Sequence, residues 1–172
     1  MKKLIALAAI MAAALLLSPL CPAQKNKKND DPRIALAVKR ALDAKEFTVT
    51  ISRAESQSGY SGDFYGYTLT VKDGKVNTRL PYFGSGDSAA AYGSDGDKSI
   101  VFEDTPMEDF VIDASKVEKR GRYYVSFKAK SGSNMCDVDI TVWNNATILM
   151  SIRPGGRTAM SYDGALTGLT RF

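Results

Sequence analysis

The sequence lacks histidine entirely and contains only two cysteines among its 172 residues. The absence of histidine excludes Ser-His-Asp and Cys-His catalytic triads, histidine-ligated zinc and the commonest general base near neutral pH. An enzyme of this composition would have to work with carboxylates, lysine or tyrosine. We therefore expect a protein that is not an enzyme and that carries no cofactor.

The sequence also lacks a large excess of charge of either sign. The formal net charge is +4, and it falls to +2 if Lys2 and Lys3 are removed with the leader described below, since no acidic residue leaves with them. No stripe of basic residues alternates with aromatic ones, as a nucleic-acid surface would require. The composition thus argues against a nucleic-acid partner.

One long hydrophobic run is present, at the start of the chain. Residues 4–17 are all apolar and follow Lys2 and Lys3, but the run is too short to favour a membrane span and ends at Ser18-Pro19. Small residues at Cys21 and Ala23 then fit a cleavage site. We expect a signal peptide over residues 1–23 and a periplasmic or secreted product.

If residues 1–23 are a signal peptide, the rest of the chain divides into two parts. Residues 24–31 are polar and of mixed charge, which predicts a solvated tether, and residues 32–172 form a single β-rich domain with no transmembrane segment. A lipoprotein anchored through Cys21 is the alternative, disfavoured because Leu20 stands where a lipobox has a small residue. A chain beginning at Gln24 has no internal disulfide, as it keeps only one cysteine.

One helix is readable near the start of this domain. Asp31 suits the N-cap and Pro32 the first helical position. Apolar residues then recur at spacings of three and four, which makes one apolar stripe: Ile34, Val38, Ala41 and Leu42. A single amphipathic helix must pack on something larger.

That larger element is predicted to be β structure. In "EFTVTIS" the apolar residues alternate with threonines, and Asp73-Gly74 supplies the positive-φ pair of a two-residue hairpin turn. The hairpin register follows from that turn and places apolar side chains on one face. The expected pairs are Val71 with Val76, Leu69 with Thr78, and Tyr67 with Leu80.

The second half of the domain continues the pattern. "KSIVF" and "DFVID" are strand candidates separated by "EDTPME", and "RYYVSFKAK" and "MCDVDITV" alternate strictly, with Cys136 facing the core. A three-residue turn at residues 144–146 then matches the faces of the next strand pair. About eight or nine short strands predict a mainly β fold, an antiparallel sandwich or a partly open barrel with one N-terminal helix.

Three stretches of the chain resemble a known family. "LPYFG" (Leu80 to Gly84), the tyrosine-containing loop that runs to "IVF" (Ile100 to Phe102), and "SYDG" (Ser161 to Gly164) are similar to the domain of unknown function 4251. The resemblance covers roughly residues 47–164. It implies a β-rich protein located in the cell envelope or secreted, and it implies no activity.

A candidate ligand site follows from the first of these stretches. Pro81 marks a strand end, and residues 85–98 are rich in glycine, serine and alanine, as in a mobile flap. Strand alternation places Tyr82 in the core and Phe83 at the lip of a pocket, with Tyr92 in the flap above. These three aromatic residues are the predicted ligand-binding residues.

The predicted function is accordingly non-enzymatic binding of an apolar or amphipathic small molecule. The alternative is a protein-protein interaction module of the envelope with a filled core, which docks another protein through a strand edge or through Trp143. Tyr82 and Phe83 would then simply plug one end of the fold.

Acidic residues offer two further readings. Asp87, Asp95 and Asp97 lie in the predicted flap but lack the EF-hand spacing, so we expect weak calcium binding at most and no metal site. Asp137 and Asp139 point the same way from one strand. A partner for them at Lys128, across the hairpin, favours surface pairing over catalysis.

Overall fold

The computed structural model describes residues 31–57, 59, 61–83 and 99–169, and this part of the chain is mainly β structure. Its two helices are α1 (Pro32–Asp43) and α2 (Val117–Arg120). Its ten strands are β1 (Phe47–Ser56), β2 (Ser61–Asp63), β3 (Thr68–Lys72), β4 (Lys75–Pro81), β5 (Ser99–Pro106), β6 (Glu108–Asp113), β7 (Arg122–Ser131), β8 (Asn134–Trp143), β9 (Thr147–Pro154) and β10 (Met160–Thr167).

The strands form one antiparallel sheet that curls into a nearly closed barrel. Their order is β5-β4-β3-β1-β10-β9-β8-β7-β6, with the short β2 paired to the far end of β1. Every neighbouring pair is antiparallel. The prediction of a mainly β fold with one N-terminal helix is confirmed, and the partly open barrel is the alternative that holds.

Helix α1 begins as the sequence indicates. The Asp31 side chain accepts a hydrogen bond from the backbone N–H of Arg33 at 2.9 Å, and Pro32 opens the first turn. Val38 and Leu42 are fully buried in the main core cluster. The helix therefore closes the end of the barrel at which β1 begins and β10 ends.

The registers around the tight turns agree with the predictions. Val71 pairs with Val76, and both residues of the Asp73-Gly74 turn have positive φ, 51° and 73°. Further on, Lys128 is opposite Asp137 and Val142 is opposite Ile148, so the predicted three-residue turn at 144–146 is also present. Tyr67 differs, because it precedes β3 and its carbonyl accepts a hydrogen bond from Ile51 instead.

Strands β5 and β6 are separated by one residue, Met107, and so form one bent run. The predicted six-residue connection "EDTPME" is therefore wrong: most of it is strand. The run is interrupted by two bulges, where Asp104 (φ 45°) and Asp109 (φ 54°) adopt the left-handed conformation. Because the residues at these irregular positions are polar, the sequence lacks the alternation of apolar and polar residues that would have indicated a strand.

This run also explains how the barrel closes. Its first half pairs with β4 and its second half with β7, which lie near opposite edges of the sheet. At the unsealed seam the N–H of Val101 donates to the hydroxyl of Ser131 at 3.1 Å in place of a backbone ladder.

Gly164, the last residue of "SYDG", lies where the structure leaves no room for a side chain. A Cβ atom at this position would lie 2.1 Å from the carbonyl oxygen of Thr50, well inside any allowed contact. The approach occurs at the irregularity of β1 between Ile51 and Arg53, where β10 crosses it. Glycine is thus required by the close packing of two backbones.

The inward-facing side chains of the strands merge into a single buried cluster. It includes large residues from distant parts of the chain, among them Phe102, Ile140, Met150 and Tyr162, each at most 1% exposed. Native cores are close-packed, so such a cluster fills the interior of a small barrel. A ligand would have to bind at an end or on the outside.

Candidate functional site

The end of the barrel opposite α1 holds two of the predicted ligand-binding residues, and both are buried. Tyr82 is 5% exposed and its hydroxyl donates to the carbonyl of Thr158 at 3.1 Å. The Tyr162 hydroxyl, from "SYDG", donates to the carbonyl of Pro81 at 2.7 Å. Two stretches that carry the family resemblance are therefore in direct contact.

Phe83, like Tyr82, is buried. It is 1% exposed, and its ring stacks on that of Phe64 with centroids 5.6 Å apart. The guanidinium of Arg157 lies 5.5 Å from the ring centroid of Tyr82 and covers it from outside. The predicted position of Tyr82 in the core agrees with the structure, whereas the placement of Phe83 at an exposed lip is wrong.

The physical reason for this error is where the strand ends. β4 stops at Pro81, so strand alternation no longer governs the next two residues, and both turn inward. Tyr92 and the rest of the predicted flap lie outside the described residues. Among the described residues, the aromatic side chains at this end of the barrel are packed together and plug it.

A groove lies at the opposite end, between α1 and the barrel rim. Its volume is about 760 Å³. Its apolar lining comes from three separate segments, and consists of Ile34, Leu36, Ala37, Ala146, Leu166 and Leu169. Asp31, Arg33 and Arg40 are its charged residues. We call this the helix groove.

The wall of the helix groove opposite α1 is held together by a backbone hydrogen bond. The N–H of Leu166, near the end of β10, donates to the carbonyl of Ala146, in the turn between β8 and β9, at 2.8 Å. Ala146 itself has φ 66°, which sharpens that turn. The two segments therefore present one continuous surface to the helix.

A second cavity of about 430 Å³ adjoins the helix groove. The two cavities share Ala37 and Arg40 from α1, the last residue of β10, Thr167, and the two residues that follow it, Gly168 and Leu169. The second cavity also has charged residues in its lining, among them Glu46 and Lys72. Arg40 thus lines both cavities.

The remaining sequence candidates are surface or core residues. Asp137 and Asp139 are exposed on the outer face of β8. Lys128 is opposite Asp137 in the register as predicted, but its ammonium group pairs with the carboxylate of Asp109 at 3.2 Å. Trp143 is half-buried at the end of β8.

Cys136 is fully buried in the core, as its alternation predicts. Burial raises the pKa of its thiol, because the thiolate would lose its hydration. A thiol of this kind is a poor nucleophile.

Within residues 31–57, 59, 61–83 and 99–169, no three acidic or cysteine side chains lie close enough to hold a metal ion. The acidic residues of the predicted flap fall outside these ranges. Neither helix in the same part of the chain is long and apolar enough to cross a membrane.

Comparison with known proteins gives the family. A crystal structure of a DUF4251 family protein from Bacteroides eggerthii superimposes with a TM-score of 0.59 and 17% sequence identity, over 77% of this chain and 86% of that one. At this identity the likeness shows the fold alone. None of the curated proteins matches the sequence. The family model for the domain of unknown function DUF4251 matches residues 33–166, most of the chain, so this protein belongs to the DUF4251 family.

Proposed function

We propose that this protein is an exported, non-enzymatic binding module of the cell envelope. Its ligand is an apolar or amphipathic small molecule, held in the helix groove. The observation that carries the proposal is the combination of volume and lining in that groove: about 760 Å³ of space bordered by Ile34, Ala37, Leu166 and Leu169. Sites for small molecules commonly have volumes of about 300 to 1000 Å³ and mainly apolar walls.

The exposure of two residues supports this choice of end. Ile34 is 38% exposed and Leu36 is 48% exposed, although both are large and apolar. At the other end of the barrel the aromatic side chains already contact one another and backbone carbonyls. An apolar ligand therefore gains more contact at the helix groove than at the Tyr82 end.

The test is a fluorescence titration with N-phenyl-1-naphthylamine, an uncharged apolar probe. We expect saturable binding, weakened at least about tenfold by Ala37→Trp, because the indole ring would occupy the floor of the groove. Ala114→Trp is the matched control, since Ala114 is exposed in the turn before α2 and lies outside the groove. Thermal melting of both variants shows whether each remains folded.

Two outcomes would count against the proposal. The absence of saturable probe binding to the unmodified protein would leave the envelope interaction module as the remaining function. Equal binding by the two tryptophan variants would move the ligand site away from α1.

A further inference from the structure

Two cations and two aromatic rings lie together on the outer wall of the barrel, where α2 leads into β7. The ammonium group of Lys116 and the guanidinium of Arg122 are each 5.0 Å from the centroid of the Tyr124 ring. Arg122 and Tyr124 point outward, because Tyr123 between them is buried, and Trp143 is directly opposite Arg122 on β8. We call Lys116, Arg122, Tyr124 and Trp143 the cation cluster. None of them lines the helix groove or the adjoining cavity.

The backbone fixes the positions of the two cations. Gly121 ends α2 in the left-handed conformation, with φ 61°, and its N–H donates to the carbonyl of Val117 at 2.8 Å. The Gly121 carbonyl accepts the N–H of Asn144 at 2.9 Å, which ties the end of the helix to the turn after β8. Lys116 and Arg122 therefore flank a short helix that is anchored to the sheet.

The hydrogen-bond donors of the cation cluster have no acceptors within the part of the chain that the structure describes. The Nε atom of Arg122 is buried and has no hydrogen-bond partner there. The two terminal nitrogens of Arg122 and the indole nitrogen of Trp143 also make no hydrogen bond, but they are not buried, so they face solvent. An anion would thus reach the guanidinium through its terminal nitrogens, and such charge-assisted hydrogen bonds are strong.

One carboxylate near the cation cluster is already engaged. Asp113 is opposite Tyr124 in the register, and its Oδ1 atom accepts the N–H of Ser115 at 2.8 Å. That hydrogen bond, together with the charge of Lys116, holds the pKa of the Asp113 carboxyl below its usual range. The carboxylate forms no ion pair with Lys116 or Arg122. An anion with two negative charges would offset the repulsion between the two cations.

We infer that the cation cluster binds the phosphoryl group of a phosphate monoester. Such a group carries nearly two negative charges at neutral pH and offers three acceptor oxygens, which suits two adjacent cations. Arg122 would donate from its terminal nitrogens, and Lys116 would act as a point charge. The rest of the ester would then lie against the rings of Tyr124 and Trp143. This site is separate from the helix groove and does not depend on the proposed function.

The experiment uses a reporter that lies within the site. Trp143 is the only tryptophan of the chain, so its fluorescence and the NMR signal of its indole N–H report this site directly. The protein is titrated at low salt and about pH 8, where the phosphate carries two charges, with glucose 6-phosphate, glucose 6-sulfate and glucose. We expect a saturable change with the phosphate, at least about threefold weaker binding of the singly charged sulfate, and no change with glucose.

Variants test each charge separately. Lys116→Gln and Arg122→Gln should each weaken the binding of glucose 6-phosphate at least about fivefold. Asp113→Asn should strengthen it at least about twofold, because it removes a negative charge and keeps the oxygen that accepts the N–H of Ser115. Lys130→Gln is the matched control, as Lys130 is exposed on the same face of β7 near its other end, and it should bind as the unmodified protein does.

Vesicles distinguish the two sources of a phosphate monoester. Co-sedimentation with vesicles that contain phosphatidic acid, but not with pure phosphatidylcholine, would assign the phosphoryl group to a lipid if Lys116→Gln abolished it. Binding of glucose 6-phosphate without co-sedimentation would assign it to a dissolved ester.

Two results would overturn the inference. One is an equal affinity of Lys116→Gln and Lys130→Gln for glucose 6-phosphate, and the other is a Trp143 signal that this ligand leaves unchanged. Both lysines are exposed, so the comparison holds even if Arg122→Gln fails to fold, and thermal melting of each variant checks its stability.

Discussion

Phe83 and Tyr65 are both aromatic residues, but their environments in the structure differ sharply. Phe83 is 1% exposed and stacks on Phe64, whereas Tyr65, next to Phe64 in the chain, is 80% exposed. Truncation of a buried aromatic ring removes its contacts and leaves a cavity. The difference between the two positions can therefore be measured as stability.

We expect Phe83→Ala to lower the free energy of unfolding by about 3–5 kcal/mol, because the ring fills the plug at the end of the barrel. Tyr65→Ala, the control for loss of an aromatic side chain, should change it by less than about 0.5 kcal/mol. Urea denaturation of both variants provides the measurement.

A second readout links this prediction to the ligand site. Phe83→Ala should bind N-phenyl-1-naphthylamine as the unmodified protein does, under conditions where it is folded, because the helix groove is at the other end. A small loss of stability together with weaker probe binding would restore Phe83 as a lip residue.

Single residues also show where sequence reasoning ends. The alternation of β7 and β8 places Cys136 and Val138 in the core from sequence alone, as the structure confirms. The requirement for glycine at position 164 could not be predicted, because it depends on the carbonyl of Thr50, over a hundred residues away. Close approach of two backbones leaves no local pattern.

At the scale of elements, the tight turns decided which registers could be predicted. A short turn fixes the pairing of its two strands, so the apolar faces of β3 with β4 and of β7 with β8 could be matched directly. Strands β5 and β6 have no such turn, and their two bulges interrupt the alternation at Asp104 and Asp109. The same bulges bend an edge of the sheet, which discourages pairing with other chains.

The bulge at Asp109 yields a test at this scale. Asp109 has φ 54°, a conformation that glycine adopts without steric strain and that a β-branched residue strongly resists. Its ion pair with Lys128 is largely exposed and contributes about 1 kcal/mol at most. We expect Asp109→Gly to stay within about 1 kcal/mol of the unmodified protein, and Asp109→Val to be less stable than the glycine variant by about 1–2 kcal/mol.

Asp139→Val is the control for the same exchange at a regular strand position. Asp139 is exposed on β8, where valine suits the backbone, so its unfolding in urea should shift little. Equal stability of Asp109→Gly and Asp109→Val would show that the bulge relaxes when the side chain changes.

At the scale of the whole molecule, the helix groove could not be predicted from the sequence. Its walls come from α1, the β8–β9 turn and the end of β10, which are brought together only when the sheet curls into the nearly closed barrel. The one available signal was the stripe of Arg33, Leu36 and Arg40, in which a leucine occupies a position on the polar side of an amphipathic helix. That signal becomes interpretable only when the opposite wall is known.

Processing of the chain is a prediction at this scale as well. We expect cleavage between Ala23 and Gln24, because small residues precede that bond and an apolar run precedes them. The intact mass of the protein recovered from its own host measures the outcome. A species that begins at Cys21 and carries added acyl mass would establish a lipoprotein instead.

The single residue between β5 and β6 has a mechanical consequence for the barrel. The two edges of the sheet are joined through Met107 by the chain itself, so force applied across the seam near this residue is borne by covalent bonds, whereas elsewhere around the wall it is borne by hydrogen-bond ladders. The wall cannot separate there by sliding one edge past the other. Any widening must start at the far end of the seam, where Val101 and Ser131 are held by one hydrogen bond.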